Sequence, residues 1–116
     1  MNSKRWTSGE RARHQVAIAG RVVGEGDRAL AGAEVTIVRM PEAFKRSVAA
    51  GVSDHCLTKT DGIYYFLDLP DGHYTVKGRE GRAGAEMEKT VSVSRSKDGK
   101  VKMAVADLKL VGRGTT

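Results

Sequence analysis

Apolar and polar residues alternate along most of this chain, and glycine, proline and aspartate interrupt the alternation at short intervals. Val16, Ile18, Gly20 and Val22 share one face of a first strand, with Ala17, Ala19, Arg21 and Val23 on the other. Successive side chains of a strand point to opposite sides. Residues 24–27, Gly-Glu-Gly-Asp, read as a turn. A second strand is expected over residues 34–40, where Val35 and Ile37 alternate with Thr36 and Val38, since β-branched side chains suit a pleated surface. The densest signal is residues 58–76, TKTDGIYYFLDLPDGHYTV. Asp61-Gly62 reads as a two-residue hairpin turn, because glycine takes a positive φ and aspartate tolerates it next best. Leu69-Pro70-Asp71-Gly72 reads as a second turn, with proline fixing φ and glycine closing. Tyr64 and Phe66 then face one side, and Tyr74 and Val76 repeat the pattern. Tyr74 is placed as a corner residue, its ring inside and its hydroxyl bonded to nearby backbone.

Further strands are expected over residues 55–60, 63–67, 74–79 and 88–93, the last with Val91 and Val93 inward. Residues 78–84, rich in Gly and Arg, form a charged hairpin tip, and residues 94–99 a polar loop. Val101, Met103 and Val105 fall on odd positions, Leu108 and Leu110 on even ones. That change of parity predicts a bulge or bend at Ala106-Asp107. Residues 41–50 break the β rhythm. Pro41 suits the first position of a helix and Glu42 its positive end. Phe44 and Val48 share a helical face and Gly51 is a stop, so a short helix or a long loop is expected here. Roughly seven short antiparallel strands with turns between them make an all-β, Ig-like sandwich.

A chain of 116 residues is the size of one domain. The expected division is a basic arm over 1–15, the sandwich over 16–111 and a tail over 112–116. The single cysteine, Cys56, excludes an intrachain disulfide framework. Residues 1–15 lack the apolar core of a secretory signal, and no apolar run is long enough to span a bilayer. Cytoplasmic synthesis and no membrane partner are therefore expected, which is compatible with an assembly exported by a signal-independent route. The net charge of +6 is uneven. Residues 1–15 and 95–102 are basic, whereas residues 54–71 set Lys59 against Asp54, Asp61, Asp68 and Asp71. Such polarity favours acidic partners or head-to-tail assembly, or simply keeps loops solvated.

Residues 16–110 resemble the carboxypeptidase regulatory-like family of the wider transthyretin-like (prealbumin-like) sandwich group. The resemblance is carried by Ile18-Ala19-Gly20-Arg21-Val22-Val23, by Leu30-Ala31-Gly32-Ala33-Glu34-Val35-Thr36-Ile37, and by residues 60–76. It implies a seven-stranded accessory domain that acts as spacer, assembly module or ligand-binding appendage. The matching positions are turn and core residues, so they speak to fold and not to activity.

Catalytic relatives of the fold need residues this chain lacks. Intradiol dioxygenases require a Tyr and two His after the region of Tyr64, but the last His is His73 and the last Tyr is Tyr74. Hydroxyisourate hydrolases end on a Tyr-Arg-Gly-Ser-type tail, echoed only by Arg113-Gly114-Thr115. A Lys–Asn crosslink needs a core Asn, and the one Asn is Asn2. Asp54, His55 and Cys56 are consecutive on a strand and so cannot converge on one ion. No enzyme activity, cofactor or metal is expected. A protein partner or a second copy is expected instead, held by Lys4, Arg5, Trp6, Arg11 and Arg13 of the arm and by Phe44 of the irregular connection. An isolated Trp in a basic arm wants an apolar surface. Two alternatives use overlapping residues. Nucleic acid would bind the arm through phosphate contacts and Trp6 stacking, and carbohydrate would bind an exposed aromatic, Trp6 or whichever of Tyr64 and Tyr65 faces outward.

Overall fold

The computed structural model describes residues 15–80 and 85–111. The expectations for residues 1–14, 81–84 and 112–116 lie outside these. Among the described residues there are nine strand segments: β1 Val16–Val23, β2 Glu34–Arg39, β3 His55–Leu57, β4 Ile63–Leu67, β5 Gly72–Arg79, β6 Glu86–Arg95, β7 Val101–Lys102, β8 Ala104–Val105 and β9 Leu108–Lys109. One helix, α1, spans Glu42–Ala49, and residues 25–27 form a single 3-10 turn. A larger sheet runs β3-β2-β5-β6-β7, and a smaller one runs β4-β1-β8 with β9 also on β1. Their inner faces meet in one core that includes Ile18, Val22, Val35, Ile37, Tyr64, Phe66, Tyr74, Val76, Val93, Leu108 and Leu110. Each fully buried side chain of this size contributes about 1.5–3 kcal/mol.

The expected sandwich is therefore present, with two differences. First, the smaller sheet is mixed: β4 is antiparallel to β1, but β8 and β9 run parallel to it. Second, the end of the chain is broken into three segments. The even residues Ala104, Ala106, Leu108 and Leu110 turn inward, whereas Met103 and Val105 are exposed. The parity change expected at Ala106-Asp107 thus falls at Met103, where the chain leaves the larger sheet for the smaller. Between β8 and β9 the ladder is interrupted at Ala106-Asp107, but inward and outward sides are kept.

The two turn signals also do something other than make hairpins. Gly62 has φ 80° and its amide donates to the Lys59 carbonyl at 2.8 Å, while Ile63 N donates to Asp61 Oδ1 at 3.1 Å. Yet β3 and β4 belong to different sheets. The turn carries the chain across the core, and the segment before Gly72 carries it back from β4 to β5. Tyr74 is the corner residue expected of it: its ring is buried and its hydroxyl donates to Pro70 O at 2.5 Å. The connection over 41–50 resolves into α1, with Pro41 at the capping position before the first helical residue.

Three interactions at Gln15 tie the start of β1 to the end of β4 and to β7 of the larger sheet. Gln15 N donates to Asp68 Oδ1 at 2.9 Å, Asp68 N returns a bond to Gln15 O at 2.9 Å, and Gln15 Oε1 accepts from Val101 N at 2.8 Å. In the middle, Tyr64 Oη donates to Ala106 O at 2.5 Å and Ala106 N donates to Ala19 O at 2.9 Å. Gly20 makes this approach possible, because a methyl there would collide with the Ala106 carbonyl and the Tyr64 ring. Thr58, also buried, accepts from Ala33 N at 2.9 Å and donates to Leu30 O at 2.5 Å, fixing the loop before β2.

Gly20→Ala is expected to cost about 2–3 kcal/mol through overpacking against backbone, read as a lower urea midpoint. Tyr64→Phe is expected to cost about 1–3 kcal/mol, because it strands a buried carbonyl without a donor. A midpoint unchanged in either variant would contradict the anchoring role of Ala106.

Candidate interaction site

The outer faces of the two sheets differ in chemistry. On the larger sheet, cross-strand partners place Glu34 beside Arg79 and Arg79 beside Glu86, then Thr36 beside Lys77 and Lys77 beside Glu88. Lys77 Nζ lies 3.8 Å from Glu86, and Arg79 lies 4.0 Å from it. Charges of opposite sign alternate across this face, so it satisfies itself and stays wet.

On the smaller sheet, Ala19 is paired with Tyr65 on one side and with Val105 on the other. Tyr65 (41% exposed), Leu67 (43%), Met103 (53%) and Val105 (54%) are the large residues of this outer face. Val16 lies opposite Leu67. Ala17 is the extra residue of a bulge between Val16 and Ile18, and it is buried next to Ile18. Leu57 is exposed on the larger sheet opposite Glu34, and Val38 and Val52 are exposed elsewhere; single exposed apolar residues are ordinary for any surface. A contiguous apolar strip is the arrangement that marks a contact surface.

The border of this face is the free side of β4. Val22 N bonds Gly62 O and Asp68 N bonds Gln15 O, so even-numbered residues of this strand direct their backbone groups at β1. Odd-numbered ones therefore point away. Ile63 is capped, its amide by Asp61 and its carbonyl by Lys59 N at 2.9 Å. Tyr65 O receives only a long thiol contact from Cys56 Sγ at 3.9 Å. The Tyr65 amide and both backbone groups of Leu67 have no hydrogen-bond partner among the described residues. Beside them, Cys56, Leu57, Lys59, Tyr64 and Tyr65 line a cavity of about 180 Å³. Burial pushes the Cys56 thiol up from its ordinary value, which keeps it protonated and a poor nucleophile.

A second depression, of about 430 Å³, is lined by Arg21, Val23, Asp27, Asp107, Leu108 and Lys109. Its charges are already used. Asp107 Oδ1 accepts from Arg21 N at 3.0 Å, Arg21 Nε donates to Asp61 O at 3.1 Å, and Lys109 Nζ lies 3.2 Å from Asp27. Among the described residues no three His, Cys, Asp or Glu side chains come together as a metal site. His55 Nδ1 lies 3.2 Å from Asp54 Oδ1, and His73 Nδ1 is 2.7 Å from Ser92 Oγ.

The site residues named from the sequence divide in two. Lys4, Arg5, Trp6, Arg11 and Arg13 lie outside the described residues. Phe44 is 2% exposed and meets the Tyr74 ring edge-on, with centroids 5.9 Å apart. This corrects its assignment as a surface contact: α1 turns Phe44 and Val48 into the core instead of presenting them to a partner. Of the two tyrosines, Tyr64 is buried and Tyr65 exposed, with Lys59 Nζ 5.5 Å over the Tyr65 ring. The sequence reading missed Leu67, Met103 and Val105 as surface residues. Their alternation looks the same whether a face is covered or bare.

Two sheets stacked on one core, with tyrosine hydroxyls used for structural bonds, define a prealbumin-like β-sandwich domain. Residues 21–109 match the family model described as "SpaA: Prealbumin-like fold domain", and the chain belongs to that family. No curated protein matches it. Among solved structures it is similar to BcpA, the major pilin subunit of Bacillus cereus, in a variant form, at 18% identity and a TM-score of 0.47. The match covers 84% of this chain, which spans 28% of the length of that pilin. The family found is thus the SpaA one within the prealbumin-like group, and the carboxypeptidase regulatory-like resemblance holds at the level of that group.

Burial raises the Tyr74 hydroxyl from its ordinary value to about 12. The unfolded chain releases this proton near pH 10, before the folded one does. The corresponding stability is complete below pH 10 and is lost as pH rises towards 12. Urea midpoints measured across this window are expected to fall, and to fall less steeply in Tyr74→Phe. An equal slope in both proteins would contradict the assignment.

Proposed function

We propose that this domain is a non-enzymatic structural module, a small accessory or adaptor subunit of a larger protein assembly. The observation that supports it best is the contrast between the two outer faces, one charged and self-paired, the other apolar and not covered by any of the described residues. Membership of a prealbumin-like fold family is consistent with this reading, and the paired charges of the larger depression offer no convergent group for chemistry. The Met1–Gln15 arm supplies further contacts in the same reading. Lys4, Arg5, Arg11 and Arg13 attract an acidic surface, and Trp6 anchors on an apolar one. Within the sandwich, the stretch 54–71, where Asp54, Asp61, Asp68 and Asp71 outnumber Lys59, has the opposite sign to the arm.

Deleting residues 1–14 is expected to leave the circular dichroism spectrum and thermal midpoint unchanged but to abolish incorporation into the native assembly. Normal assembly of the truncated protein would remove the arm from the contact. A low-salt titration with DNA and RNA separates the nucleic-acid reading, which requires binding that weakens steeply with salt.

A further inference from the structure

We infer that a second copy of this chain pairs with it edge to edge along β4, extending the smaller sheet across a two-fold axis. This rests on the reading of the domain as a contact module and names one partner for the strand that borders the apolar face. Strand edges are templates for pairing, and proteins commonly blunt them with charge, proline or a bulge. Three of the other outer strands follow that rule: β3 is three residues long and follows Asp54, β7 carries Lys102, and β9 carries Lys109; β8, Ala-Val, is uncharged but only two residues long. β4 reads Ile-Tyr-Tyr-Phe-Leu, with no charge and no proline. Its bulge lies on the partner strand β1, on the side away from the free edge.

The open groups of this edge are self-complementary. Tyr65 and Leu67 each direct an amide and a carbonyl outward, as derived above. Two copies in antiparallel register, with Tyr65 of each opposite Leu67 of the other, form two hydrogen-bonded pairs. Each such pair exchanges both of its N–H···O bonds, so every outward group of the two residues in both copies is satisfied. The same register sets the Tyr65 side chain against Leu67 of the second copy on the outer face, a favourable aromatic–aliphatic pair. The apolar strips of the two copies then join into one. Ile63, whose groups are taken by Asp61 and Lys59, stays outside the pairing and limits its length. A contact this short falls at the small end of specific interfaces.

Sedimentation of the full chain tests this. A concentration-dependent dimer is expected, with a Kd on the order of 10 micromolar. Leu67→Lys places a charge on the exposed side of the edge and is expected to weaken the dimer at least about tenfold, with an unchanged circular dichroism spectrum. In a Cys56→Ser background, Tyr65→Cys with Leu67→Cys is expected to oxidise to a covalent dimer, because paired residues in this register lie within disulfide reach. A wild-type chain that stays monomeric at several hundred micromolar, on the order of tens of times that Kd, overturns the inference. So does a dimer indifferent to Leu67→Lys, or one in which the double-cysteine protein fails to crosslink. Removing residues 1–14 separates the two readings. A dimer that survives the deletion supports pairing through β4, whereas a dimer that dissolves overturns it and leaves the arm as the contact.

Discussion

The Ala106 carbonyl is the point on which this sandwich closes. Tyr64 donates to it from one strand, and the bare backbone of Gly20 lets it approach β1 from the other side. Because it is buried, the carbonyl must be paired. Pairing it brings the last stretch of chain against β1 in parallel, with Ala106 N on Ala19 O and Leu110 N on Val23 O. The inward positions Ala104, Ala106, Leu108 and Leu110 then complete the core under β1 and β5.

That closure decides which surfaces remain open. With β8 and β9 on one side of β1, β4 on its other side becomes the border of the smaller sheet. Near the opposite border, the chain passes directly from β7 to β8, so the two sheets are continuous there. The open seam therefore lies between β3 and β4, next to the apolar outer strip. The candidate contact surface is a consequence of topology and not of any single residue.

Much of this was legible in the residues. Alternation placed β1, β2, β4 and the core tyrosines, since burying one face of a strand imposes a period of two. The Leu69-Pro70-Asp71-Gly72 signal and the corner role of Tyr74 were also readable. Asp61-Gly62 was recognised as a turn but not as a crossing, because a turn's local chemistry is the same whether its flanking strands pair or separate. Met103 misled for a related reason: a hydrophobic residue on the expected parity looks like core until the change of sheet is known. An irregular connection suggests a binding loop and so an outward Phe44, whereas four residues of helical spacing bring Phe44 and Val48 to the same buried side. The bare face of the smaller sheet was not legible, since a pattern of apolar residues does not record what covers them.

The parallel course of β1 and β9 has a mechanical meaning. Gln15 sits at one end of the sandwich and Leu110 at the other, on neighbouring strands that run the same way. Tension applied between these points slides the strands along each other instead of peeling them apart. Every bond between them, and the Tyr64 clasp on Ala106, is loaded together. The parallel arrangement thus loads its bonds in shear and not one at a time.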